Sequence, residues 1–196
     1  NLKVLEQCKN ATAILFLPLF KSKEFRDKYI VRFCDYMNEI FSIDKLDALI
    51  TDYKDNYLEM LVKDEVRWKG FTYENQLEAI AAFKTNYLKT FDGIRTFFSE
   101  RPKFALQHME QYLNIEESLL EVTLSIEGEG KIKINSIIPN IKKGEWVGKY
   151  YSKIPITLTA IPSENSKFKG WEGVSGNEET ITVELTEDTK ITAKFE

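Results

Sequence analysis

Near residue 120 the spacing of apolar residues changes from every third or fourth position to every second, and no single regular element satisfies both rhythms. Glycine changes with it. Before residue 121 it occurs only at Gly70 and Gly93, whereas Gly128, Gly130, Gly144, Gly148, Gly170, Gly173 and Gly176 all follow. Turn-forming residues therefore arrive together with the strand-like rhythm. The expected fold class is α+β in two units: an all-α helical bundle over residues 1–118, then a small antiparallel all-β domain, β-grasp-like or immunoglobulin-like, over residues 121–196.

In the first region Ser22 is a candidate cap for a helix whose apolar positions Phe25, Tyr29, Phe33, Met37, Ile40 and Phe41 form one face. Ser42 is the next cap, with Leu46, Leu49, Ile50, Tyr53, Met60 and Leu61 continuing the stripe on a helix that ends before Gly70. Thr72 opens a long helix through Leu77, Ile80, Tyr87, Leu88, Phe91, Ile94 and Phe98. Ser99 and Pro102 lead a shorter one through Leu106, Met109 and Leu113. Connections this short predict antiparallel neighbours that share a core.

From Glu121 the chain alternates. Val122, Leu124 and Ile126 share one strand face, and Ile132 with Ile134, Ile156 with Leu158 and Ala160, Ile181 with Val183 and Leu185, and Ile191 with Ala193 and Phe195 repeat the pattern. Glu187, Asp188 and Thr189 read as a turn, so the last two strands are expected to form an antiparallel hairpin.

Several chemistries find no support. A formal net charge of -4 gives no basic field for nucleic acid. The apolar run Ala13 to Phe20 is broken by Pro18 and falls short of the roughly 20 residues of a membrane span. The GxG in EGEGKIKIN (Glu127 to Asn135) precedes a strand and not a helix, which makes it a turn and not a phosphate loop. His108 is the only histidine and has no nucleophile elbow to serve; with two scattered cysteines it cannot form a zinc pattern. Adjacent acids such as Glu116/Glu117 and Glu178/Glu179 point apart and read as solvated surface. Cys34 lies on an apolar helical face, and a buried free thiol is expected there in preference to a disulfide with Cys8. No catalytic, cofactor-binding or metal-binding residue is expected. The start at Asn1, without initiator Met, leads us to expect a piece of a longer protein.

Aromatic residues offer the better candidates. Trp146 stands in a glycine-flanked, loop-like stretch, and Trp146, Tyr150 and Tyr151 are candidate contacts for a glycan or a protein partner. Phe168 and Trp171, in KFKGWEG, are expected to fill the core of the β domain.

The segments EFRDKYIVRF (Glu24 to Phe33), MNEIFS, Arg67 with Trp68, and SERPKFALQHMEQYL (Ser99 to Leu113) together resemble the C-terminal part of the spore-coat protein H (CotH) kinase-like family. KIPITLTAIPSENSKFKGWEG followed by ITVELTEDTKITAKFE is similar to the divergent internalin-type B repeats of bacterial surface proteins. The resemblance implies a parent related to protein kinases, with ATP and Mg held by acidic and basic residues upstream of Asn1 and none in this piece. It implies a non-catalytic scaffold and interaction role, partnered by the upstream kinase-like domain of the same chain and by cell-wall, coat or glycan components. It also implies an extracellular, cell-surface or spore-coat location. Two alternatives accompany it: a glycan-binding module using the aromatics of the β domain, or the C-terminal end of an active CotH-type protein kinase.

Overall fold

The computed structural model describes residues 6–8, 11–141 and 144–196. Helix α1 (Ala11–Phe16) leads through a 3-10 turn (Leu17–Lys21) to α2 (Lys23–Asp35), which runs on into a single π turn (Tyr36–Ile40). Helices α3 (Ile43–Lys69) and α4 (Gln76–Leu113) follow, separated by the 3-10 turn Gly70–Thr72. The strands are β1 (Leu119–Glu127), β2 (Gly130–Ile134), β3 (Glu145–Tyr151), β4 (Ile156–Pro162), β5 (Phe168–Glu172), β6 (Thr180–Val183) and β7 (Thr189–Phe195). The change from helix to strand thus falls where the sequence places it.

The helix ends follow local chemistry. Ser22 Oγ accepts a hydrogen bond from the Phe25 amide at 3.4 Å and opens α2. Thr72 does not open the long helix, because its hydroxyl donates to the Lys69 carbonyl at 2.8 Å; Asn75 Oδ1 accepts from the Glu78 amide at 2.9 Å and α4 begins after it. Pro102 lies inside α4 and does not end it. An interior proline costs about 3 kcal/mol, and burial of Met109 and Leu113 beyond it, worth about 1.5–3 kcal/mol each, holds the last turns in line. The two helices expected on either side of Ser99 are therefore one.

The strands form two sheets, ordered β3-β1-β7-β5 and β2-β4-β6. Most pairs are antiparallel, but β1 and β7 are parallel, from Val122 opposite Thr189 to Glu127 opposite Lys194. The expected terminal hairpin does not form: β6 pairs with β4, while β7 pairs with β1 and β5. The reason lies between them. Leu185 is buried and its carbonyl accepts from the Lys153 amide at 3.3 Å, so the connection crosses from one sheet to the other. Phe168 and Trp171 pack half-buried on the core, and Gly173 answers for the glycine beside the tryptophan: its φ is +89°, and a Cβ there would stand 2.0 Å from the Lys190 carbonyl oxygen.

Packing divides the chain differently from its secondary structure. One compact unit takes the residues up to Ile40 together with Leu106–Glu196; the other is Phe41–Ala105. Ile30 and Cys34 of α2 and Met109 and Leu113 of α4 belong to the same core as Val122, Leu124, Ile156 and Leu158. The expected boundary near residue 120, with a separate core on each side, is therefore corrected. These helical segments supply apolar cover that two small sheets do not supply for themselves. We call the first the sheet unit and the second, made of α3 and most of α4, the hairpin unit.

Candidate functional site

Trp146, Tyr150 and Tyr151 lie on β3 of the sheet unit, and all are buried, at 9%, 1% and 2% exposure. None offers a ring face to a ligand, which removes the basis for reading them as surface contacts. Alternation along β3 points Trp146, Gly148 and Tyr150 to one face. A Cβ on Gly148 would fall 2.2 Å from the Trp146 ring, so the glycine is the seat of the indole and not a loop marker.

Each ring brings a polar group inside, and a carboxylate from a helical segment meets each one. Asp35, at the end of α2, accepts from the Tyr150 hydroxyl at 2.8 Å, from Asn135 Nδ2 at 3.0 Å, from the Ser136 amide at 3.1 Å and from Ser136 Oγ. Glu39, in the π turn, accepts from Trp146 Nε1 at 3.1 Å. Glu110, on α4, accepts from the Tyr151 hydroxyl at 2.9 Å. Asn38 completes the seam by bonding both the N–H and the carbonyl of Lys149 at 3.0 Å, which closes the outer edge of β3 to further strand pairing.

Burial, and after it the charge of Asp35, pushes the Tyr150 phenol well above its ordinary value. Burial followed by the hydrogen bond to Glu110 does the same for Tyr151. Cys34 is free and buried, as expected, and burial with the nearby Asp35 and Glu110 charges holds its thiol protonated. This is a structural network that satisfies buried polar groups, with no histidine in it. His108 is exposed on α4. Among the described residues no group of three or more His, Cys, Asp or Glu converges as metal ligands would.

Exposed large apolar side chains gather in the hairpin unit. Its own core is small: Val62, Ala79 and Phe83, with Leu58, Val66, Tyr73 and Tyr87 half-buried around them. Asp47 and Arg95 pair in a two-pronged bridge at 2.7 and 3.0 Å, which lowers the Asp47 pKa and raises that of Arg95. Leu49, Tyr53, Tyr57, Met60 and Trp68 recur at helical spacing along one side of α3 and are all exposed. Phe71 in the following turn is 85% exposed and Leu77 at the start of α4 is 79% exposed. Leu49, Tyr53, Met60, Leu77, Ile80, Leu88 and Ile94, expected as bundle core, face solvent instead, because two helices can bury only the sides they turn to each other. The excess was visible in sequence: α3 carries apolar residues on more than one side.

A family model described as the CotH kinase protein matches residues 6–105. The chain belongs to the CotH kinase protein family. A second model, the divergent InlB B-repeat domain, matches residues 139–196, in the order the sequence suggested. No curated protein and no solved structure matches the chain. The CotH match takes in α1, α2 and the whole hairpin unit; the B-repeat match takes in β3 to β7; β1 and β2 lie outside both. Among the described residues no helix is long and apolar enough to cross a membrane.

Proposed function

We propose that this chain is the scaffolding and interaction part of a surface- or coat-associated CotH-type protein, and that the exposed apolar side of α3 seats the kinase-like portion of the same protein. The stripe from Leu49 to Trp68 carries this reading. Large apolar side chains gathered on one face of a soluble protein mark an interaction site. In this reading the sheet unit, whose β3 rings are bonded to carboxylates of its own helical segments, is a spacer that trails the kinase-like portion outside the cell or on the spore. ATP and Mg belong to that portion, and phosphoryl transfer is not a property of the residues described here.

The test mixes the purified chain with the separately expressed kinase-like portion and follows complex formation by sedimentation velocity. The wild-type chain is expected to bind. A Leu49→Glu/Met60→Glu variant is expected to lose binding while its circular dichroism is unchanged. Retained binding by the variant, or Mg-dependent ATP turnover by the chain alone, overturns the reading.

A further inference from the structure

Beside the N-terminal half of α2 the sheet unit holds an enclosed cleft of 200 Å³. It is smaller than a site for a drug-sized ligand, which takes about 300–1,000 Å³. Its apolar lining is Ile30, Ile115 and Ile154. Its charged walls are Lys23, Arg26 and Lys153, with Asp27 and Glu117.

These charges are unevenly matched. Lys23 and Asp27 pair at 2.5 Å and neutralise each other. Glu117 accepts from the Glu116 amide at 3.1 Å and, among the described residues, has no cation within ion-pair distance. Among the described residues Arg26 and Lys153 likewise have no counter-ion, and Arg26 Nε is shut away from solvent with no hydrogen-bond acceptor. A buried donor left without a partner is exceptional. The cleft therefore carries one positive charge more than it neutralises, against an apolar lining, in a chain whose net charge is -4.

The backbone at Lys153 points the same way. Its φ is +59°, a conformation that glycine or asparagine adopts more readily than lysine. The turn is pinned from both sides, by the Lys153 amide bond to the Leu185 carbonyl at 3.3 Å and by Ser152 Oγ, which accepts from the Ser118 amide at 3.1 Å. A long cation held in a strained turn, with its side chain lining a cleft that already holds an uncompensated guanidinium, is better explained by a ligand than by the turn.

We propose that this cleft binds a small monocarboxylate with a short apolar tail, its carboxylate between Arg26 and Lys153 and its tail on Ile30, Ile115 and Ile154. The single excess charge favours a monoanion over a phosphate dianion, and the isoleucine lining favours an apolar tail. The source is either a free short-chain acid or the C-terminal residue of a peptide. The proposal is independent of the hairpin unit and of the scaffold reading.

The full chain is titrated separately with 3-methylbutanoate, N-acetyl-leucine and inorganic phosphate, read by calorimetry and by amide shifts at Lys153 and Ile154. Both carboxylates are expected to saturate, with phosphate weaker. Tighter binding of N-acetyl-leucine assigns a peptide terminus, and tighter binding of 3-methylbutanoate assigns a free acid. Lys153→Gly, which suits the turn and removes the ammonium, is expected to weaken both about tenfold or more; Arg26→Gln is expected to act alike. If Arg26→Gln fails to fold, Lys153→Gly alone decides. Absence of saturation with either carboxylate, tighter binding of phosphate, or carboxylate affinity unchanged in Lys153→Gly overturns the proposal.

Discussion

In the sheet unit an aspartate, Asp35, is 1% exposed, whereas in the hairpin unit a phenylalanine, Phe71, is 85% exposed. The first unit draws carboxylates inside and gives each a phenol or indole donor; the second leaves its largest apolar side chains outside. The contrast teaches which unit covers its own large apolar side chains. A buried carboxylate is tolerable only when its surroundings are finished, since an unmatched charge would cost several kcal/mol. The stripe of exposed Leu, Tyr, Met and Trp is the surface to which the proposed function assigns a partner.

The comparison is tested most severely at Asp35. Asp35→Ala removes the acceptor of four hydrogen bonds, and at about 1–3 kcal/mol for a donor left buried and unpaired it is expected to destabilise the sheet unit by about 4 kcal/mol. Urea unfolding followed through Trp146 and Trp171 checks it; a loss below about 1 kcal/mol would mean that the seam is ornamental. In the hairpin, Phe83→Ala empties much of a small core and is expected to cost about 3 kcal/mol. Hydrogen exchange should show α3 and α4 losing protection while β1 and β7 keep theirs, and equal loss in both units would erase the distinction.

Next comes pH. The Tyr150 and Tyr151 phenols have raised pKa values in the folded chain, so above the ordinary tyrosine value of 10.0 the unfolded state holds fewer protons than the folded one. Their stabilising contribution is complete below pH 10.0 and falls as pH rises past it, by up to about 1.4 kcal/mol per pH unit for each phenol. Tyr150→Phe should flatten that slope, and an unchanged slope would show that other groups set the alkaline limit. The smallest effect belongs to the stripe: Leu49→Glu or Met60→Glu in the isolated chain should change stability by less than about 0.5 kcal/mol, because both side chains already face water. A loss of about 2 kcal/mol at either position would place it in a core and break the comparison from the other side.

Sequence reading located the strands well because alternation survives in one dimension: Val122, Leu124, Ile132, Ile134, Ile191 and Ala193 all point inward. Pairing is not written in alternation, so the parallel β1–β7 register was not legible, nor was the crossing at Leu185. The seam was hidden for a related reason. Helical periodicity carries Met37, Ile40 and Phe41 along the buried face of α2, but the π turn at Tyr36–Ile40 inserts extra residues into that repeat and rotates the phase. Glu39 therefore turns inward, while Ile40 and Phe41 turn out. The burial of Trp146, Tyr150 and Tyr151 is not legible in sequence, because nothing local announces that Asp35, Glu39 and Glu110 meet them. The candidate interaction stripe was legible as a pattern of apolar positions; its exposure depends on how many helices are present to cover it.

The parallel register of β1 with β7 sets a schedule for biosynthesis. Val122 pairs with Thr189, and β7 lies between β1 and β5, so as the chain leaves the ribosome its larger sheet has no middle until β7 has emerged. The α3–α4 hairpin is translated in full long before that point. A nascent chain thus displays its exposed apolar helix face before its β module can lock, which makes the interval between the two the time when a chaperone has most to gain by engaging it.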